Sequence, residues 1–291
     1  MKDIPFYIVD VFTEIKYQGN QLAVFIAEEK LSEMEMQQIA NEMHFSETTF
    51  ITSLDEYKVR IFTPKTELDF AGHPILGTAY ILQQKFIKEK IKTLLLNINL
   101  GTIPILFKYK GDSIKQVWME QRNPTFSGFF DPQVISEVIG LRKEDIDQRF
   151  PCQEVSTGSP FIIIPIKNLE AMKRSRLNHK EYYQLVSNTH AKALLLFSSE
   201  TQEKKNDMHV RVFADYLGVP EDPATGSGNG CLAGYLIEHD YFGKDSIEIR
   251  VEQGYEINRC SLLHLKANKN GNKINVSVGG NVQISAKGTL V

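Results

Sequence analysis

Three ionisable residues stand where the sequence could do proton chemistry: Glu47 in Phe45-Ser46-Glu47-Thr48-Thr49-Phe50-Ile51, His73 in Ala71-Gly72-His73-Pro74, and Asp222 ahead of Pro223-Ala224-Thr225-Gly226-Ser227-Gly228-Asn229-Gly230. A carboxylate on an apolar strand face has its pKa raised, which suits a general acid/base at neutral pH. Strand alternation places Glu47 on one face with Phe45 and Ile51. His73 and Asp222 each adjoin a stretch that opens a helix, where free backbone amides and the helix dipole favour an anion. Plainer roles compete with these: an end-capping histidine, a turn carboxylate before proline and a polar residue on an edge strand. Glu67 is left outside the catalytic set.

The glycines after Asp222 raise the question of a nucleotide phosphate. Gly226-Ser227-Gly228-Asn229-Gly230 is spaced G-x-G-x-G, not G-x-G-x-x-G, and it follows Asp-Pro-Ala-Thr. It also lacks the Gly-Lys-Ser/Thr ending of a phosphate loop. What remains is a helix start rich in amides, which receives a carboxylate as readily as a phosphate.

The elements that must position these groups are mostly short strands, at residues 6–12, 22–26, 48–51, 59–62 and 161–164. Surface helices are expected from the capping-box spacing at Ser32 and Glu35, from Asp131-Pro132 and from Asn178. Two further helices, Ile75–Leu82 and Gly230–Ile237, are apolar on every face and therefore belong inside a core. They belong to an internal repeat. Val59-Arg60-Ile61-Phe62 reappears as Val210-Arg211-Val212-Phe213, and Ala71-Gly72-His73 with its helix aligns with Thr225-Gly226-Ser227 and its helix. The expected organisation is a first half over residues 1–122 carrying Glu47 and Gly72-His73, a second half over 123–278 carrying Asp222 to Ser227, and a tail over 279–291 returning to the first half. Two matching helix starts suggest one cleft between the halves, holding a small carboxylated ligand.

Composition narrows the partners. The 291 residues are 42% hydrophobic with a formal net charge of −3, which provides no basic field for nucleic acid. No run approaches the ~18 apolar residues of a membrane span, and the first residues lack the pattern of a signal peptide, so a cytoplasmic protein is expected. Three scattered cysteines, Cys152, Cys231 and Cys260, have neither disulfide pairing nor metal-ligand spacing, and no metal site is expected.

Taken together, Gly19-Asn20-Gln21-Leu22-Ala23-Val24, Phe45-Ser46-Glu47-Thr48, Arg60-Ile61-Phe62-Thr63-Pro64, Phe70-Ala71-Gly72-His73-Pro74 and Asp222-Pro223-Ala224-Thr225-Gly226-Ser227 resemble the PhzF-like phenazine-biosynthesis family, from about residue 5 to past Gln253-Gly254. The resemblance implies an α+β fold of the diaminopimelate-epimerase type, with two pseudo-symmetric halves, each a β-barrel-like sheet around a central helix. It implies a cofactor-free isomerase acting on a dihydro-hydroxyanthranilate-like substrate, and a homodimer. By position, Glu47 matches the family's general acid/base and His73 and Asp222 its supporting ionisable residues, while Ser46, Gly72, Gly226 and Ser227 match positions that hold substrate. The sequence departs from the family pattern at Gln21, Asp69 and Gly228-Asn229. Two other functions stay open: an amino-acid epimerase or racemase of the same fold, and a metabolite-binding protein without turnover. Racemases of this fold use paired cysteines at the helix junctions, which here carry Gly72-His73 and Gly226-Ser227, with Cys231 one turn further in.

Overall fold

The computed structural model describes residues 3–28 and 31–291. In chain order these form β1 (Ile4–Val11), β2 (Asn20–Ile26), α1 (Glu33–Met43), β3 (Glu47–Ser53), β4 (Lys58–Phe62), β5 (Glu67–Leu68), α2 (Gly72–Ile81), β6 (Thr93–Ile98), β7 (Gly101–Lys110) and β8 (Ser113–Gln121). There follow β9 (Thr125–Phe130), α3 (Pro132–Val138), β10 (Cys152–Ser156), β11 (Pro160–Pro165), α4 (Leu169–Arg174), α5 (His179–Ser187), β12 (Ala193–Ser198) and β13 (Met208–Ala214). The chain ends with β14 (Val219–Asp222), α6 (Gly226–Glu238), β15 (Ser246–Gln253), β16 (Ser261–Asn270), β17 (Lys273–Gly280) and β18 (Val282–Leu290). Two compact units result, one reaching to Glu120 and completed by Gly279–Val291, the other spanning Gln121–Val278.

In the first unit β1 lies between β18 and β2, antiparallel to both. The crossover through α1 makes β3 parallel to β2. β4 then runs antiparallel to β3 and β5 and parallel to β6, and β7 and β8 extend the sheet. This sheet wraps α2, which touches β1, β2, β3, β6 and β18. The wrapping follows from the sequence: with Ile75, Leu76, Ala79 and Ile81 around its circumference, α2 has no face to offer water. Gly77 lets the strands come close, since a methyl group there would lie 2.7 Å from Leu22 Cδ2 and 3.0 Å from Val11 Cγ2. On the other side of the sheet, Met36 and Ala40 of α1 pack with Phe25, Phe50 and Phe62. β2 and β3 are therefore covered on both faces, which explains the continuous apolar run of β2 from Leu22 to Ile26, while β3 buries threonines beside Phe50 and Ile51.

The second unit repeats the plan. β10 pairs antiparallel with β9 and β11, β11 is parallel to β12, β13 is antiparallel to β12 and β14 and parallel to β15, and β15 pairs with β16. α6 takes the place of α2, against β10, β11, β15 and β16. α4 and α5 cover the outer face through Met172, Tyr182 and Val186. The place that β9 holds beside β10 is held in the first unit by β18 beside β1. Even the arginines correspond: Arg60, partly exposed, grips both carboxylate oxygens of Glu67, and buried Arg211 grips both of Glu221, each tying a central strand to the short strand beside it.

Helix ends differ from the sequence expectation in an informative way. α1 starts where expected, with Ser32 and Glu35 forming the capping box, and Asp131 and Asn178 stand just before α3 and α5. The buried helices begin earlier than their apolar runs, at Gly72 and Gly226, because burial rather than propensity stabilises these glycine-rich first turns. α4, six residues capped by Asn168, is too short to show a period in the sequence.

Behind β13 lies a buried charge cluster that no motif announces. His209 Nδ1 is 2.8 Å from Glu252 Oε1 and its Nε2 is 3.1 Å from Glu256 Oε1, with His209 and Glu252 fully buried. Burial alone would push the imidazole pKa down, but the two carboxylates outweigh it and the net shift is upward. Both carboxylates are held below their ordinary value by the histidine, against the opposing effect of burial. The histidine's contribution to stability is therefore full below 6.5 and lost as pH rises through its folded value, while the carboxylates' contribution is lost as pH falls below 4.5. In urea unfolding, the stability gap between the native protein and His209→Gln is expected to be widest between 4.5 and 6.5 and to narrow well above that range. A gap independent of pH would contradict the charged cluster.

Candidate active site

Glu47 is the first residue of β3, and His73 sits in the first turn of α2. The structure brings them together: His73 Nε2 lies 3.4 Å from Glu47 Oε2, with the histidine side chain 6% and the glutamate side chain 18% exposed. The contact is close enough for an ion pair but lacks hydrogen-bond geometry, so Nε2 has no hydrogen-bond partner among the described residues. A second pair fixes the register. Thr49 and Thr78, both fully buried, join hydroxyls at 2.8 Å. Two residues of strand, about 7 Å, separate Glu47 from Thr49. Five residues of helix, about 7.5 Å, separate His73 from Thr78. α2 thus runs alongside β3, and the threonine pair locks the histidine opposite the carboxylate.

The expected face of Glu47 needs correction. Glu47 shares the α2 side with Thr49, whereas Phe45 packs in the α1-side cluster around Phe50. The chain bends at Phe45-Ser46 before β3 begins, so alternation does not extend back to Phe45. Ser46 lies in that bend, partly buried, and Gly72 is buried at the helix start.

His73 is held neutral. Burial lowers its pKa to about 3, and a hydrogen bond with the Gln21 backbone only partly opposes this. Because that bond raises the pKa, the ring donates in it, and because Nε2 has no such partner, the donor is Nδ1. Nε2 then presents a lone pair toward Glu47. It can accept a proton or hydrogen bond from a protonated glutamic acid, which a cationic histidine could not do.

In the second unit Asp222 ends β14, four residues before Gly226 opens α6. Its Oδ2 accepts from the Thr225 hydroxyl. Gly226 is buried and Ser227 partly buried in the first turn. Neither buried helix has a side-chain cap: Ala71 precedes α2 without one, and Thr225 precedes α6 without one, whereas Ser32, Asp131 and Asn168 cap α1, α3 and α4. First-turn amides without caps are suited to an external anion. Two further side chains bond to this helix start, Gln253, which sequence reasoning passed over, and Asn229, noted there only as a departure from the family pattern, with Asn229 Nδ2 donating to Gln253 Oε1 at 2.8 Å. Their only sequence signal is the polar Asn229 in an apolar helix and the Gln253-Gly254 pair at the end of the resemblance.

Against known proteins, the model of the phenazine biosynthesis-like protein family, PhzC-PhzF, matches residues 9–288. The chain belongs to the PhzC-PhzF family. It is 31% identical over 292 residues to trans-2,3-dihydro-3-hydroxyanthranilate isomerase of Pseudomonas fluorescens, covering 98% of this chain and 99% of that protein. The crystal structure of a PhzF-family phenazine biosynthesis protein from Bacillus anthracis superposes with a TM-score of 0.91 at 29% identity over the full length of both chains. A probable proline racemase from Agrobacterium radiobacter, 9% identical, superposes with a TM-score of 0.63 over 99% of this chain and 93% of the other, which shows the shared diaminopimelate-epimerase-like fold.

Within this PhzF fold the duplication is not chemical. Thr48 pairs with Phe62 in the first unit and Leu194 with Phe213 in the second, so the position equivalent to Glu47 is Ala193. The position equivalent to His73 is Ser227, second in its helix as His73 is in α2. The Glu47–His73 pair is therefore not repeated at the equivalent positions of the second unit. Cys231 does not replace it: the thiol is buried, contacts Thr157 and the Ser159 carbonyl, and burial pushes its pKa up to about 11. Glu67, set aside from the sequence, is occupied by Arg60, whose hydrogen bonds hold its carboxyl below the ordinary value.

The neutral histidine has a measurable consequence. The unfolded chain takes up this proton near 6.5 and the folded chain only near 3, so acidification through that window favours unfolding. The slope is up to about 1.4 kcal/mol per pH unit for one proton. The stability difference between the native protein and His73→Gln, by urea unfolding, is expected to shift against the native protein as pH falls from 6.5 toward 3. A constant difference would mean that His73 is not buried neutral.

Proposed function

We propose that the chain is a PhzF-type isomerase that moves a proton along a small, carboxylated, dihydro-hydroxyanthranilate-like substrate by general acid/base catalysis, without a cofactor. The observation that carries this reading is the Glu47–His73 pair, one partly buried carboxyl group facing one neutral imidazole at an uncapped helix start. A carbon-bound proton beside an unsaturated, carboxylated system is acidic enough for Glu47 to take. The same carboxyl group returns it at another carbon on the same face, with His73 accepting from the protonated acid in between. Gly72 on one helix start, Gly226 and Ser227 on the other, and Ser46 before β3 are proposed to hold the substrate, with Asp222 as a supporting ionisable residue. Backbone amides that meet developing negative charge contribute roughly 3 kcal/mol each where one has been removed in other enzymes.

Inversion by two thiols requires a cysteine in each half, and the single thiol near a helix start is protonated and buried. A racemase is therefore the weaker reading. Incubated with trans-2,3-dihydro-3-hydroxyanthranilate in deuterated water, the native protein is expected to place deuterium on carbon. Glu47→Gln is expected to do so more slowly by about 10²- to 10⁴-fold, the usual contribution of a positioned acid/base. Folded Cys231→Ala is expected to stay close to the native rate. Equal rates in Glu47→Gln and the native protein would remove Glu47 from the reaction. Carboxylate binding with no exchange under any substrate tried would leave a metabolite-binding protein.

A further inference from the structure

Gln253, the last residue of β15, is fully buried and spends its whole side-chain amide on the start of α6. Its Nε2 donates to the Asp222 carbonyl at 2.7 Å and to Thr225 Oγ1 at 3.0 Å. Its Oε1 accepts from the Thr225 amide at 3.2 Å and from Asn229 Nδ2 at 2.8 Å. The orientation is forced, because the flipped amide would set oxygen against the Asp222 carbonyl and NH₂ against the Thr225 N–H. Proton directions then follow along the chain. Thr225 Oγ1 accepts from Gln253, so its one hydroxyl proton goes to Asp222 Oδ2.

This spends the hydroxyl that would ordinarily cap the helix. Threonine before a helix normally accepts from a first-turn amide. Thr225 stands at that position and makes no such bond. Gly254 holds the arrangement from the far side: its φ is +80°, and a methyl group there would lie 2.5 Å from the Arg259 carbonyl and 2.6 Å from that of Pro223. The end of β15 is thereby pressed against the turn that carries Asp222.

We propose that Gln253 and Thr225 are positioning residues of the active site: Gln253 directs the Thr225 hydroxyl away from α6 onto Asp222. This fixes the rotation of that carboxylate and keeps the first-turn amides open to the substrate's anion. The proposal rests on the isomerase reading for its kinetic consequences, while its binding consequences can be read without turnover.

The experiment compares full-length Thr225→Val, Thr225→Ser and Gln253→Leu by steady-state kinetics with trans-2,3-dihydro-3-hydroxyanthranilate, and by calorimetry with benzoate as a carboxylate probe. Thr225→Val removes the bond to Asp222 without adding a cap, so kcat is expected to fall about tenfold or more while KM and benzoate affinity stay within about threefold. Thr225→Ser keeps the hydroxyl and is expected to retain activity. Gln253→Leu frees the hydroxyl to cap α6, so KM and the benzoate dissociation constant are expected to rise about tenfold or more. Adding Thr225→Val to Gln253→Leu is expected to restore binding. A purely structural role would lower active fraction in proportion to lost folding and would not split kcat from KM in opposite variants. Native-like kcat in folded Thr225→Val, lost activity in Thr225→Ser, or unchanged benzoate binding in Gln253→Leu would each overturn the proposal. If Thr225→Val does not fold, Thr225→Ala serves for the same comparison. Failure of the native protein to turn over the substrate, with the binding pattern intact, would overturn the isomerase reading and leave the control of the helix start standing.

Discussion

The structure depends on one constraint: α2 and α6 have no polar face. Such a helix is stable only if sheet covers it on every side, and each half of the sequence satisfies this with strands that curl around one helix. The small residues along both helices follow from the same requirement, since a β-carbon at Gly77 or Gly228 would press on strand side chains at 2.7–3.1 Å. What burial cannot satisfy is the first turn, whose amides have no intrahelical partner. Three of the outer helices close that gap with Ser32, Asp131 and Asn168, while the two inner helices leave it open. Polar chemistry concentrates at the one place where an otherwise apolar helix still needs partners.

Duplication supplied the scaffold twice and the chemistry once. Arg60 with Glu67 and Arg211 with Glu221 brace equivalent strands in the same bidentate way. The residues that could move a proton are not repeated, since Ala193 and Ser227 stand where the first unit has Glu47 and His73. The second unit has instead a fully bonded amide, Gln253, and a charged cluster around His209. One ionisable pair suits a reaction in which the same group removes and returns a proton, and it does not suit inversion by two opposed acids.

Much of this was legible in the sequence because it rests on local pattern. All-round apolarity marked both central helices, Ser32 with Glu35 marked the start of α1, and the repeated Val-Arg-x-Phe segment marked the duplication. The residues Glu47, His73 and Asp222 stood out because each interrupts or adjoins an apolar element. Contacts made across the fold were not legible. Nothing near Thr49 or Thr78 in the sequence says that they meet, nor that Gln253 reaches back across 28 residues to Thr225. Phe45 does not share the face of Glu47 because the chain bends at Phe45-Ser46, and nothing in the sequence marks β3 as starting only at Glu47.

The central claim is that one carboxyl group, Glu47, both takes and returns the proton. The most direct measurement uses trans-2,3-dihydro-3-hydroxyanthranilate deuterated at the migrating position, turned over in ordinary water, with the product's deuterium content read by mass spectrometry. The account predicts that a measurable fraction of product retains the label, carried between carbons on the same carboxyl group. Complete loss of label, with turnover persisting in Glu47→Gln, would contradict it.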